Sequence, residues 1–271
     1  NNIGKADKLL DVLTDNPSIV CVQEVVQRKL PTFDGYSTLT HNIGSRGTAI
    51  LVEDQFRKLC KRIRHPSPDS CAIKITLREK EIKVINAYLP VASGRGNLIK
   101  YENSLRLLAR NIDERTIVTG DLNGWLRSHN LHKHKWSKSQ PAVKHGIMLQ
   151  SFVEQNHLSV LDKDMKHNTR WDTKGNGSTI DYFLYKNVSL GKQTISPVIP
   201  GTDHRSISCC LEHVKKPRKE KAKNELRRPV HVLADDPTQL HNYRNAKKNK
   251  LPDFLKLKDP IQAGAQYSKD V

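Results

Sequence analysis

Ile117-Val118-Thr119-Gly120-Asp121-Leu122-Asn123 is the stretch that decides how this chain reads. Ile117 and Val118 open an apolar, strand-like run, and the run gives way at once to a carboxylate, Asp121, and an amide, Asn123. A strand ending this way delivers polar groups at the rim of a sheet, where a rigid framework holds them better than a long loop would. Two residues apart on extended backbone, Asp121 and Asn123 would point to the same side. Taken alone, Gly-Asp-x-Asn is equally a turn, because Gly and Asn are ordinary turn formers. Three other segments end an apolar run in the same manner: Val22-Gln23-Glu24 after Ile19-Val20-Cys21, Ser178-Thr179-Ile180-Asp181, and Gly201-Thr202-Asp203-His204 ahead of Ile207. Acids, an amide and a histidine converging on one sheet edge would suit metal-assisted attack on a phosphodiester, which needs charge held and a water activated.

Working outward, strands and helices alternate. Leu9, Leu10 and Leu13 have helical spacing, and Asn16-Pro17 ends that helix before the strand carrying Glu24. Gly47 to Val52 is apolar, and Ala72 to Leu77 with Ile82 to Ala87 flank the charged turn Arg78-Glu79-Lys80-Glu81, a hairpin whose second strand runs into Tyr88. Tyr101, Leu105, Leu108 and Ile112 mark one face of a helix ahead of the Asp121 strand, and Gly146 to Gln155 repeats the pattern ahead of Leu158 to Leu161. Such an order predicts an α/β sandwich whose sheets pack face to face under helices.

The formal net charge is +18, which makes a polyanion, nucleic acid first, the expected partner. A basic surface kept for solubility and an anionic membrane are the alternatives. No run approaches the roughly 18 apolar residues that span a bilayer. Cys21, Cys60, Cys71, Cys209 and Cys210 are odd in number with no paired spacing, so reduced thiols in an intracellular protein are expected. The opening Asn1-Asn2-Ile3-Gly4 reads as the start of a fragment of a longer product. From Lys215 to Lys223 basic residues fall with almost nothing apolar between them. The expected division is a domain over 1–213 and a basic, largely disordered tail or linker over 214–271.

In this order, Gln23-Glu24, Tyr88-Leu89-Pro90, Asp121 with Asn123, Ser178 to Asp181, and Thr202-Asp203-His204 resemble the motifs of the endonuclease/exonuclease/phosphatase superfamily. Trp136, Gly146, Leu149, the Leu158 to Leu161 strand and Thr169 narrow the likeness to endonuclease domains of non-LTR (LINE-type) retrotransposons. The resemblance implies a DNase I-like, four-layer α/β sandwich of two mixed sheets flanked by helices. It also implies that the first strand and its metal-binding Asn are missing, with Asn1 or Asn2 matching only the motif's second Asn. By resemblance Glu24 and Asp203 serve a Mg²⁺ or Mn²⁺ ion. Asp121 orients or deprotonates the attacking water, Asn123 and Tyr88 hydrogen-bond the phosphate, Asp181 orients His204, and Thr169 and Thr202 lie along the nucleic-acid groove. The activity so implied is nicking of DNA to leave a 3′-hydroxyl, in the nucleus, for a reverse transcriptase domain of the same polyprotein.

The residues by themselves leave more than one reading open. Glu24 suits a hard divalent cation but is also an ordinary strand-end acid. His204 could meet a phosphate as imidazolium or act as a base, and an Asp-His pair can be purely structural. Arg46, Arg127, Lys133, Lys135, Lys138, Arg170 and Lys174, interleaved with Trp125, Trp136 and Trp171, could hold phosphates and stack on bases, although most tryptophans are simply core. His129, His132 and His134 lack a completing ligand for zinc and read as a basic loop. The competing functions are abasic-site repair, RNA deadenylation or phosphatase work on the same fold, and a remnant that binds nucleic acid without cutting it.

Overall fold

The computed structural model describes residues 16–25, 32–42, 47–64, 67–91, 95–127, 141–161, 168–172, 175–197 and 202–212. The chain divides into two units, Asn1–Asp15 with Arg218–Val271, and Asn16–Pro217, and every described residue lies in the second. The expected Leu9 to Leu13 helix, the basic tail, Trp136 and the His129 to His134 cluster fall outside the described residues.

Two main sheets carry the fold. The smaller one pairs β1 (Ile19–Gln23), β3 (Thr48–Glu53) and β2 (Tyr36–Asn42), antiparallel throughout. The larger one has six strands in the order β4 (Cys60–Ile63), β5 (Ser70–Leu77), β6 (Lys80–Tyr88), β7 (Thr116–Asp121), β11 (Asp181–Lys186) and β8 (Ser159–Val160). It is mixed, because β6 and β7 run parallel while β11 returns antiparallel to β7. The β5–β6 hairpin turns at Arg78 and Glu79, both at positive φ. Between β8 and β11, β9 (Arg170–Trp171) and β10 (Gly177–Ser178) form a short ribbon, and β12 (Thr194–Ile195) pairs with β13 (Ile207–Ser208).

Alternation along the strands explains the layers. In β6, Ile82 and Val84 face one way and Ile85 and Ala87 the other. The first pair joins Cys71, Ile73, Ile75 and Ile117 of the large sheet against Leu39, Ile50 and Val52 of the small one. The second pair joins Ala72, Val118 and Leu184 beneath two helices, α1 (Arg95–Ala109) and α2 (Pro141–Gln155), through Tyr101, Leu105, Leu108, Leu149 and Phe152. A central sheet buried on both faces needs near-continuous apolar strands, which is why β7 has no exposed residue. This is the expected α/β sandwich, with helices, large sheet and small sheet stacked in turn. Both helices arise where the three-four spacing predicts them, although α2 starts at Pro141, a residue suited to a first helical turn.

All five cysteines are free, with Cys60 and Cys71 buried and Cys210 exposed. Burial pushes the Cys71 thiol up to about 11, so it stays protonated core packing. No described helix is long and apolar enough to cross a membrane.

Candidate active site

Three of the candidate side chains form one row across the end of the large sheet. Tyr88 is paired in register with Asp121, and Asp121 with Asp181. One expectation needs correcting here: Asp181 begins a strand rather than ending one. It reaches the same rim because β11 runs antiparallel to β7, so its start lies where β7 finishes.

Glu24 arrives from the other sheet. It sits just past β1 with a left-handed backbone, φ 59°, and its Oε1 accepts a 2.9 Å bond from the Tyr88 hydroxyl. Burial, then the Glu24 charge, pushes the Tyr88 phenol well up, so it remains a donor. The sheets are locked together beside this contact by Asn86, which is fully buried. Its Nδ2 donates to the Val22 and Ala49 carbonyls, each at 2.9 Å, and its Oδ1 accepts from Gln23 at 2.6 Å.

His204 comes from a segment bridged antiparallel to Arg170. Its Nδ1 lies 3.1 Å from Asp181 Oδ2, and its Nε2 lies 3.9 Å from Asp121 Oδ2. Burial opposes a charge on the ring, but the Asp181 hydrogen bond and the charges of Asp181, Asp121 and Asp203 outweigh it, raising the pKa to about 9. His204 is therefore an imidazolium at neutral pH. Burial, followed by the Asp181 charge, holds the Asp121 carboxyl well above the ordinary range, against the pull of His204, the Asn123 N–H and Arg170.

The backbone at Asn123 departs from the extended form assumed above. Asn123 has φ 45°, its N–H donates to Asp121 Oδ1 at 3.0 Å, and its Nδ2 donates to the Leu89 carbonyl at 2.9 Å. The two side chains thus share a turn, not one face of a strand.

Other candidates take different places. Thr169 was expected along the nucleic-acid groove, but it is fully buried. Its Oγ1 accepts from the Ile180 and Asp181 N–H groups at 3.2 and 3.3 Å, so it holds the start of β11. The Thr202 hydroxyl closes a turn around His204, accepting its N–H at 2.9 Å and donating to its carbonyl at 2.7 Å. Asp203 is half exposed and pairs with Arg170 at 2.9 Å. Burial opposes its charge, yet Arg170 and His204 hold its carboxyl below the usual range. Arg127 is exposed, and Arg46 lies outside the described residues. The Arg205 guanidinium, not singled out in the sequence, lies 4.4 Å over the Trp171 ring, and its buried Nε has no acceptor among the described residues.

The carboxylates of Asp121 and Asp181 and the His204 ring bring donor atoms within 4.8 Å of one another, a set that could hold a metal ion once the ring gives up its proton. Oxygen-rich donors of this kind fit a hard divalent cation. Glu24 and Asp203, assigned to the metal by resemblance, are not members of that set.

With this geometry in view, a family model described as endonuclease-reverse transcriptase matches residues 82–208, the span holding Tyr88, Asp121, Asp181 and His204. The chain carries the endonuclease/exonuclease/phosphatase fold. An AP endonuclease from Leishmania major superposes with a TM-score of 0.64 at 17% identity, covering 78% of this chain and 83% of its own. The endonuclease domain of TRAS1, a telomere-specific non-LTR retrotransposon, gives 0.59 at 16%, covering 78% and 93%. A 3′ phosphatase, NExo, from Neisseria, bound to product DNA hairpin, gives 0.61 at 15%, covering 77% and 95%. No curated protein sequence matches. The family model thus bears out the motif resemblance over residues 82–208, and the solved structures, a retrotransposon endonuclease among them, bear out the fold.

Proposed function

We propose that this chain is a divalent-metal-dependent endonuclease that hydrolyses one DNA phosphodiester and leaves a 3′-hydroxyl. The observation that carries the reading is the in-register row of Tyr88, Asp121 and Asp181 with His204 bonded to Asp181 at its end. In this reading His204, held by Asp181 and charged at neutral pH, donates from Nε2 to a nonbridging phosphate oxygen. Asp121, its proton affinity raised by burial, accepts the proton of the attacking water. The water oxygen bonds to phosphorus as the bond from phosphorus to O3′ breaks, and the departing O3′ takes a proton from solvent water to become the 3′-hydroxyl. The protonated Tyr88 phenol lines the same rim, and the Asn123 amide, one hydrogen of which goes to the Leu89 carbonyl, keeps its other hydrogen for the phosphate.

The residues to hold the ion are carboxylates, because an imidazolium offers no lone pair. Glu24, oriented by Tyr88, is the strongest, since Asp121 is engaged as the base. Asp203, engaged by Arg170, is the weaker donor that the family pattern also assigns. When bound, the ion would neutralise charge on the nonbridging oxygens and the leaving alkoxide.

Substrate grip falls to the basic face. Arg170 is neutralised by Asp203, whereas Arg205 on Trp171 has no paired acid among the described residues, which suits a backbone phosphate. The family description and the TRAS1 likeness support a reverse transcriptase domain of the same polyprotein as partner, using the 3′-hydroxyl as primer in the nucleus. Residues 1–213 form the nuclease domain in this account and 214–271 the linker. The AP endonuclease likeness favours one rival, cleavage at abasic sites.

The test is a labelled DNA duplex incubated with Mg²⁺, its product then offered to a DNA polymerase without end treatment. Direct extension supports the reading. Products that cannot be extended refute it, and cleavage confined to an abasic duplex supports the rival.

A further inference from the structure

Leu122, Asn123 and Gly124 follow Asp121 outside any helix or strand, yet their successive carbonyls each meet the polar head of a different buried ring. Tyr101 of α1 donates its hydroxyl to the Leu122 carbonyl at 2.7 Å. His145 of α2 places Nδ1 3.2 Å from the Asn123 carbonyl. Tyr182 of β11 donates to the Gly124 carbonyl at 2.9 Å, shares that hydrogen with the Thr179 carbonyl, and accepts the Leu126 N–H at 3.2 Å. The three rings are at most 1% exposed.

Two of them also support each other. Tyr101 and His145 stack with centroids 3.8 Å apart and planes 18° from parallel. A carbonyl only accepts, so His145 carries its hydrogen on Nδ1, and burial, by lowering its pKa, keeps the ring neutral. The seat is tight enough that a Cβ on Gly124 would press on the Tyr101 hydroxyl. Three elements of the fold thus converge on three consecutive peptide units, and the middle one belongs to Asn123 in its left-handed conformation. Backbone bonds hold the turn at its ends, Leu122 N–H to the Ile180 carbonyl at 2.9 Å and Trp125 N–H to the Ala142 carbonyl at 3.1 Å; its three carbonyls depend on side chains, and buried carbonyls left without donors would move to find them.

We propose that Tyr101, His145 and Tyr182 are positioning residues that fix the Leu122–Gly124 backbone and, through it, the Asp121 carboxylate and the Asn123 amide. None of the three touches the reacting atoms. The proposal rests on the nuclease reading above, in which Asp121 accepts a proton and Asn123 faces the phosphate. A misplacement of about 1 Å at a reacting group costs on the order of a hundredfold in rate, so the rings act on turnover and leave substrate affinity alone.

The experiment compares Tyr101→Phe, His145→Phe and His145→Asn with the unchanged protein and with Ile73→Val, a core change between the sheets. His145→Phe keeps a flat ring but loses the donor, and His145→Asn returns an amide hydrogen near the Nδ1 position. Amide hydrogen exchange of Leu122 to Leu126, thermal unfolding, and kcat and KM for nicking are measured well below each melting temperature. The expected result is faster exchange confined to the turn in Tyr101→Phe and His145→Phe, with kcat down about 10- to 100-fold and KM within about twofold. His145→Asn should recover most of kcat, and Ile73→Val should change neither turn exchange nor kcat. Wild-type kcat in both donor-less variants would overturn the proposal, as would losses that His145→Asn fails to relieve. Should the unchanged protein not cut DNA, the nuclease reading fails separately, and the exchange data decide: unchanged protection of the turn overturns the clamp, selective loss sustains it.

Discussion

Replacing Asp181 by Asn should lower the proton affinity of the His204 imidazole. In the native site the ring is 29% exposed and faces Asp181, Asp121 and Asp203, with Arg170 nearby on Asp203. Its pKa is raised from 6.5 to about 9, and after burial, which acts the other way, the Asp181 hydrogen bond and charge are the largest causes. At about 1.4 kcal/mol for each tenfold change in proton affinity, the rise corresponds to roughly 3 kcal/mol of preference for the charged ring. A folded pKa above the unfolded one stabilises the fold fully below about pH 6.5, and the contribution disappears as pH rises through about 9. In Asp181→Asn the hydrogen bond to a charge is gone while burial and the Asp121 and Asp203 charges remain, so the ring should titrate clearly below its native value of about 9. The assay is the pH dependence of the imidazole nitrogen resonances, recorded in EDTA so that no ion intervenes. Denaturant unfolding of both proteins should show the native advantage narrowing between pH 6.5 and 9. A variant whose His204 still titrates near 9 would refute the assignment of Asp181 as the group that charges the ring.

Three further outcomes follow from other contacts. Gly146→Ala would drive a Cβ into the Trp125 carbonyl, backbone that cannot swing away, and should destabilise by about 3 kcal/mol or more in denaturant unfolding. Thr169→Val removes the acceptor of two buried N–H groups and should cost about 1 to 3 kcal/mol of stability while leaving DNA affinity unchanged, as binding titration would show. Arg205→Ala should weaken DNA binding and lower the salt slope by about one, whereas Arg170→Ala, which also frees Asp203, should not lower it.

Much of this site was legible because strand periodicity is local. Glu24, Tyr88 and Asp121 lie where apolar runs stop, which puts them at the ends of strands. Asp181 was found for a partly mistaken reason, since its strand starts at the rim instead of ending there, and strand direction is a tertiary fact. Thr169 misled because a hydroxyl at a strand start looks the same whether it faces water or two backbone amides. The charge on His204 depends on a carboxylate brought to it across 23 residues of sequence.

The deepest omissions were Asn86, Tyr101, His145 and Tyr182. Each is buried and bonded to backbone, and no spacing rule separates such a residue from ordinary core. The one available signal was Asn86, an amide interrupting Val84-Ile85 and Ala87 in the apolar second half of β6. A buried polar group of this kind persists only where partners satisfy it, and here the partners tie the Glu24 sheet to the Tyr88 sheet.

The central claim, that one sheet rim brings Asp121, Asp181 and His204 together to cut a phosphodiester with a divalent ion, is tested most directly by nicking of supercoiled plasmid. The unchanged protein, Asp121→Ala and His204→Ala would be compared in Mg²⁺, Mn²⁺ and EDTA. The account predicts relaxation by the unchanged protein in either metal, none in EDTA, and a loss of at least about a hundredfold in both variants. Full nicking by His204→Ala, or DNA binding without any cutting by the unchanged protein, would contradict it.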